Sequence, residues 1–210
     1  MTKNFGTQLG ALALLASFAL APGCSLLTGP DPTPTRFFLL TPMSEKEVAG
    51  SADPAASVSL GVGPFLLPPY LERPQMARRT AVNEVVFSAA DRWAEPLDKG
   101  FQRILGENLA AALDTPRIVL FPWYKTPLRW QVKGEVLRFE ADQAGEVILQ
   151  CIWTLYDPAA DRYETTRHAD LRRPVDVGDA DAVAAALSAL LGDLADEVAK
   201  AIRAAPSSRD

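Results

Sequence analysis

The chain has 210 residues, with 21 lysines and arginines against 26 aspartates and glutamates, and a formal charge of −5. A mildly acidic chain without a basic run is a poor electrostatic partner for nucleic acid and cannot coat anionic lipid by net charge. Hydrophobic residues make up 48% of it, and the length suits one domain with a full core.

Lys3 precedes an apolar run from Leu9 to Leu20, which ends in Ala21-Pro22-Gly23-Cys24. A charged start, a short apolar stretch and small residues before a cysteine predict a lipoprotein-type secretory signal over residues 1–23, with Cys24 as the acylated first residue. The run is shorter than the ~20 helical residues that span a bilayer. Ser25 after the cysteine favours delivery to the outer membrane of a Gram-negative cell, with the domain in the periplasm. The alternative is an ordinary secretory signal cleaved nearby, which leaves Cys24 a free thiol. Pro30, Pro32 and Pro34 then prevent a helix. Residues 24–35 therefore read as a lipidated cysteine and an extended tether, able to hold a domain up to ~35 Å from the lipid.

The predicted domain covers residues 36–210. Arg36–Leu40 reads as a first strand and residues 43–56 as a polar loop. Val58, Leu60 and Val62 alternate with Ser57, Ser59 and Gly61, a half-buried strand whose small second face permits close approach. Pro64–Pro74 is apolar but interrupted by four prolines, which excludes a regular central strand or a helix. Gln75–Thr80 and Asn83–Ser88 read as a hairpin turning at Ala81-Val82. Asp91–Leu97 leads into a helix, with Pro96 suited to its first turn. That helix follows the spacing of Leu97, Phe101, Ile104, Leu105, Leu109 and Leu113 and stops at Asp114-Thr115-Pro116.

Arg117–Phe121 reads as a short strand. Leu128, Trp130, Val132 and Val136 alternate with polar residues, a strand with one wet face. Leu137 and Phe139 break the alternation and predict a bulge or bend after Gly134. Gly145–Tyr156 is a long strand, Asp157–Asp161 its turn, and Arg162–Leu171 the returning strand. Asp179 is the expected N-cap of a final helix of about 25 residues, with a stripe from Val183 through Leu187, Leu190, Leu191, Leu194 and Val198 to Ile202. The fold class is therefore α/β (α+β): a single domain with a mixed, largely antiparallel sheet of six to eight strands, covered by two principal helices, the second long and C-terminal.

No catalytic constellation is visible. The lone histidine, His168, lies among charged residues. No phosphate-binding glycine loop, HExxH, paired cysteines or Gly-x-Ser-x-Gly elbow occurs. Cys151, in an apolar strand, reads as a small core residue. The expectation is a non-enzyme with no metal and no cofactor. Two segments resist a purely structural reading: the proline-fixed Leu67-Pro68-Pro69-Tyr70-Leu71-Glu72-Arg73-Pro74-Gln75, whose apolar residues either pack on the domain's own core or meet a partner, and Arg92-Trp93-Ala94-Glu95-Pro96-Leu97, whose Trp–Arg pair is common at interfaces, with capping of the core by Trp93 the equal alternative.

With Arg36-Phe37-Phe38-Leu39-Leu40-Thr41-Pro42, Val62-Gly63-Pro64 and the signal ending in Cys24, these two segments resemble the PqiC-type auxiliary lipoproteins of ABC-type transport. The resemblance covers nearly all of the mature chain. It implies an outer-membrane-anchored accessory subunit of a system that moves phospholipid or other hydrophobic molecules between the inner and outer membranes. The implied partners are a periplasmic MCE-domain protein and, through it, an inner-membrane permease and ATPase; a homo-oligomer is a further possibility. The expected partner-facing or self-association surface comprises Leu67, Tyr70, Leu71, Arg73, Pro74, Gln75, Arg92, Trp93, Pro96 and Leu97. Two rival readings stand beside it. One is a lipid-binding domain with a pocket of Phe65, Leu66, Trp93 and Trp153; the other is an envelope-assembly lipoprotein without transport.

Overall fold

The computed structural model describes residues 34–43 and 58–205. The signal, Cys24 and most of the tether lie outside them, as does nearly all of the loop expected over residues 43–56.

Among the described residues the elements are β1 (Arg36–Phe38), β2 (Leu60–Leu66), β3 (Gln75–Ala81), β4 (Glu84–Trp93), α1 (Leu97–Leu113), β5 (Ile118–Leu120), β6 (Trp130–Ala141), β7 (Glu146–Asp157), β8 (Arg162–Pro174) and α2 (Ala180–Ala204). The eight strands form one mixed sheet. Its long ladders, β6–β7 and β7–β8, are antiparallel, as is the β3–β4 hairpin. The parallel pairings are short: β1 with β4, β2 with β5, and β2 and β3 with β6.

One edge of β6 explains the proline-rich segment. β2 pairs with its first half, where Leu66 lies opposite Glu135, and β3 meets its end, where Arg78 lies opposite Ala141. The chain leaves that edge and rejoins it through a 3-10 turn at Pro69–Glu72. Prolines suit this detour because the residues in it need no ladder partner.

The expected bulge is present. Val136 pairs with Cys151 and Arg138 with Gln150, leaving Leu137 without an opposite residue. Before it, Trp130, Val132 and Val136 face the core; after it, Phe139 and Ala141 do. An extra residue in a two-residue repeat has to exchange the faces.

Both helices cover the same face of the sheet, α1 over β2 and β5, α2 over β6, β7 and β8. Phe101 of α1 is the centre of an aromatic chain, 5.3 Å from Phe65 and 5.2 Å from Phe139 by ring centroids. The α2 stripe is buried from Val183 to Ile202 as its spacing predicts. Asp179 caps α2, its side chain accepting from the backbone N–H groups of Asp181 and Ala182. Asp114 ends α1 in the left-handed conformation. The far end of α2 does not stand free: Arg203 donates to the carbonyl of Ala112 at the end of α1. The opposite sheet face is polar, with Thr154 hydrogen-bonded to Thr166 at 3.1 Å and Lys133 over the rings of Tyr156 and Tyr163.

Some elements differ from expectation. β2 runs on through Pro64 and Phe65 to Leu66, inside the segment expected to hold no regular central strand, and its register with β6 shifts between Val62 and Phe65, where the proline enters the ladder. The hairpin turns at Val82-Asn83, one residue later than Ala81-Val82. β4 continues to Trp93, so Arg92 and Trp93 are strand residues rather than a lead-in to α1. Burial of the Trp93 indole and pairing with β1 extend the strand.

Candidate functional site

The two segments singled out in the sequence meet in space. The backbone N–H of Trp93 donates to the carbonyl of Pro74 at 2.7 Å. Gln75 of β3 lies opposite Arg92 of β4, and Arg92 lies opposite Phe37 of β1. Paired residues point to the same side of a sheet. Gln75, Arg92 and Phe37 therefore form a row across three strands, with Phe37 64% exposed at the edge. The partners one residue on, Trp93 and Phe38, turn inward to the core.

The ten residues expected at a surface divide by burial. Arg73, Pro74 and Pro96 are exposed, and Leu67, Tyr70, Gln75 and Arg92 are half-buried. Leu71, Trp93 and Leu97 are buried in the core. Those three are anchors: in a segment held by prolines, a large apolar side chain gains most by filling the domain's own interior. The rest of the second segment builds the strand-to-helix junction. Pro96 takes the cap position before α1 rather than its first turn, and its carbonyl accepts from Lys99 and Gly100. Glu95 folds over Gly100, where an added Cβ would lie 3.0 Å from its Oε1, and accepts from Arg103 at 2.6 Å.

Tyr70 leads to a group that the sequence did not reveal. Its hydroxyl donates to Glu140 at 2.6 Å, and Glu140 also accepts from Arg79 at 2.9 Å and Arg138 at 3.0 Å. The Glu140 side chain is fully buried. Burial first, then the bond to Glu140, raises the phenol of Tyr70 well above its ordinary value, so it remains a donor. The bulge at Leu137 places Glu140 on the face away from the helices, beneath the 3-10 turn. A carboxylate at an apparent surface position gives no sequence signal of this burial.

Beside the row, Arg73 stacks on Phe87 with its guanidinium 4.9 Å from the ring centroid. A cleft of about 300 Å³ opens between the β3–β4 hairpin and the start of α2. Met76, Val86, Phe87 and Val183 give it apolar walls, and Arg78 and Asp91 contribute charge. The four residues of the supposed lipid pocket do not share a cavity. Phe65, Trp93 and Trp153 are packed in the core, whereas Leu66 is 63% exposed on the other side of β2.

His168 is exposed on β8 opposite Ile152. Burial and then the charge of Glu197 push the Cys151 thiol up to about 12, which keeps it protonated and unreactive at neutral pH. Among the described residues, no cluster of three or more His, Cys, Asp or Glu side chains could hold a metal, and no helix is long and apolar enough to cross a membrane.

Comparisons with known proteins agree with this architecture. A protein from Xanthomonas campestris bearing the family model DUF330 superposes with a TM-score of 0.63 at 18% identity, over 80% of this chain and 98% of its own. A second solved structure, of an uncharacterised protein, also gives a TM-score of 0.63 at 18% identity, over 81% of this chain and 99% of its own. These likenesses concern the fold. No curated protein matches the chain. The model of one family aligns with residues 38–199, from the end of β1 almost to the end of α2. The chain thus belongs to the family of ABC-type transport auxiliary lipoprotein components.

Proposed function

We propose that the chain is the outer-membrane-anchored docking lipoprotein of an ABC/MCE-type system that moves phospholipid or other hydrophobic molecules between the inner and outer membranes. The alignment of residues 38–199 with the family carries this reading. An acylated Cys24 supplies the anchor. The domain engages a periplasmic MCE-domain protein and, through it, a permease and an ATPase of the inner membrane. The docking surface is the outer face of β3, β4 and β1, where Gln75, Arg92 and Phe37 align beside Arg73 and Pro74. An exposed aromatic beside an arginine has the composition of an interface centre.

Co-purification of the full chain with an MCE-domain protein after gentle detergent extraction tests the docking. Arg92→Glu and Phe37→Asp should each reduce recovery at least tenfold while circular dichroism stays unchanged. Undiminished recovery in both variants refutes this surface, and the absence of any MCE-domain protein with the wild type refutes the docking role. Cys24→Ser should release the protein from membranes; unchanged fractionation removes the anchor.

A further inference from the structure

The docking surface leaves an aromatic loop at the opposite sheet edge without a role. After β5 the chain reads Phe121-Pro122-Trp123-Tyr124-Lys125-Thr126-Pro127. Tyr124 is 82% exposed, Phe121 47% and Leu120 40%. Trp123 ties the loop to the sheet. Trp123 sits over Gly61 of β2, where an added Cβ would lie 2.8 Å from its indole, and its Nε1–H donates to the carbonyl of Val119 at 3.2 Å. Phe121 meets Trp123 edge to face at 5.4 Å. Tyr124 and Lys125 have φ of 39° and 49°, a left-handed conformation that costs free energy for residues other than glycine. The chain thus accepts strain to present a tyrosine and a lysine to solvent.

The local charge departs from that of the whole molecule. Residues 115–134 contain four basic and no acidic residues, in a chain of net charge −5. Arg129 pairs with Asp157 at 2.8 Å, while Lys125 is exposed within the aromatic loop. Exposed Trp and Tyr beside Lys or Arg form the side-chain set that settles at the headgroup level of a bilayer. The tether predicted from the sequence keeps the domain within ~35 Å of its lipid, so this loop can reach the surface.

We infer that Leu120–Lys125 is a second, non-covalent contact with the phospholipid bilayer that orients the anchored domain. The inference rests on the anchored reading above. Bulk charge does not drive it: the aromatic tips enter the interface, and Lys125 meets phosphate groups. With one contact at Cys24 and another here, the domain is held in one orientation instead of swinging on its tether.

Tryptophan emission provides the test, because Trp93, Trp130 and Trp153 are buried in the core and Trp123 alone is partly exposed. The full acylated chain is placed on vesicles of phosphatidylethanolamine and phosphatidylglycerol whose acyl chains carry bromine near the glycerol end. Bromine should quench the Trp123 share of the emission. Trp123→Phe should remove the quenched component, and Tyr124→Ser, at an exposed position, should reduce quenching several-fold without loss of fold. Wild-type emission unaffected by bromine, or quenching unchanged in both variants, overturns the inference. The acyl mass on Cys24 is read separately, so failure of the anchor is distinguished from failure of the loop.

Discussion

Trp93 and Pro74 are joined by a 2.7 Å backbone hydrogen bond that ties together segments nineteen positions apart in the chain. It lies at the end of β4, where the indole enters the core and the backbone turns toward α1. Gln75 and Arg92 face each other because this bond and the buried ring fix where the two segments meet.

Truncating that anchor should therefore damage both fold and surface. Trp93→Ala removes a side chain only 6% exposed, at a cost of about 3–5 kcal/mol. Chemical denaturation should show the loss as a lower midpoint with an unchanged slope. Trp93→Phe keeps most of the volume and should cost less than half as much. Equal midpoints for Trp93→Ala and the wild type would show that the ring does not anchor the junction.

The buried Glu140 makes a graded prediction. Tyr70→Phe removes one donor but leaves Arg79, Arg138 and the Phe139 N–H on the carboxylate, so the loss should be about 1–2 kcal/mol. Glu140→Ala leaves two arginines beside an empty, dry site and should cost about 3–5 kcal/mol. Urea midpoints rank the two variants, and the reverse order would refute the view that Glu140 is the centre of the group.

Cys151 makes the protein sensitive to alkali. Its folded thiol holds the proton to about 12, against an ordinary value of 9.0, mainly through burial. Between those pH values the unfolded chain binds fewer protons than the folded one, so stability falls as pH rises through that window. Below it both states are protonated and the effect is absent. Denaturation midpoints measured from neutral to alkaline pH should decline above about 9, and Cys151→Ala should flatten the decline. An unaltered slope in the variant assigns the alkaline loss to other groups.

Both helices could be read from the sequence because their apolar residues recur over many turns and their ends carry local signals, Asp179 above all. The bulge was also readable, since Leu137 and Phe139 break an alternating pattern. Two features could not be read and a third, the direction of Trp93, stayed open, all for the same reason. That β2 and β3 share one edge of β6, that Glu140 is buried and that Trp93 points inward each depend on residues distant in sequence. The segment Leu67–Gln75 read equally as core packing or as a surface because prolines interrupt its periodicity. In the structure the same prolines carry the chain around an occupied edge, and Leu71 fills the core beneath.

Gly134 and Phe65 offer a test of how tightly that edge is packed. They are paired across β6 and β2, and a Cβ at Gly134 would lie 2.8 Å from the Phe65 ring and 2.6 Å from the carbonyl oxygen of Ile152. The ring can yield a little, but the carbonyl belongs to the β6–β7 ladder and cannot move without loss of hydrogen bonds. Gly134→Ala should therefore destabilise by about 1–3 kcal/mol, the usual cost of overpacking. Adding Phe65→Leu relieves only the clash with the ring. The double variant should thus be more stable than the sum of the two single losses implies, yet remain below Phe65→Leu alone. Strict additivity in denaturation midpoints would mean that the Phe65 ring and an added Cβ do not compete for the space above Gly134.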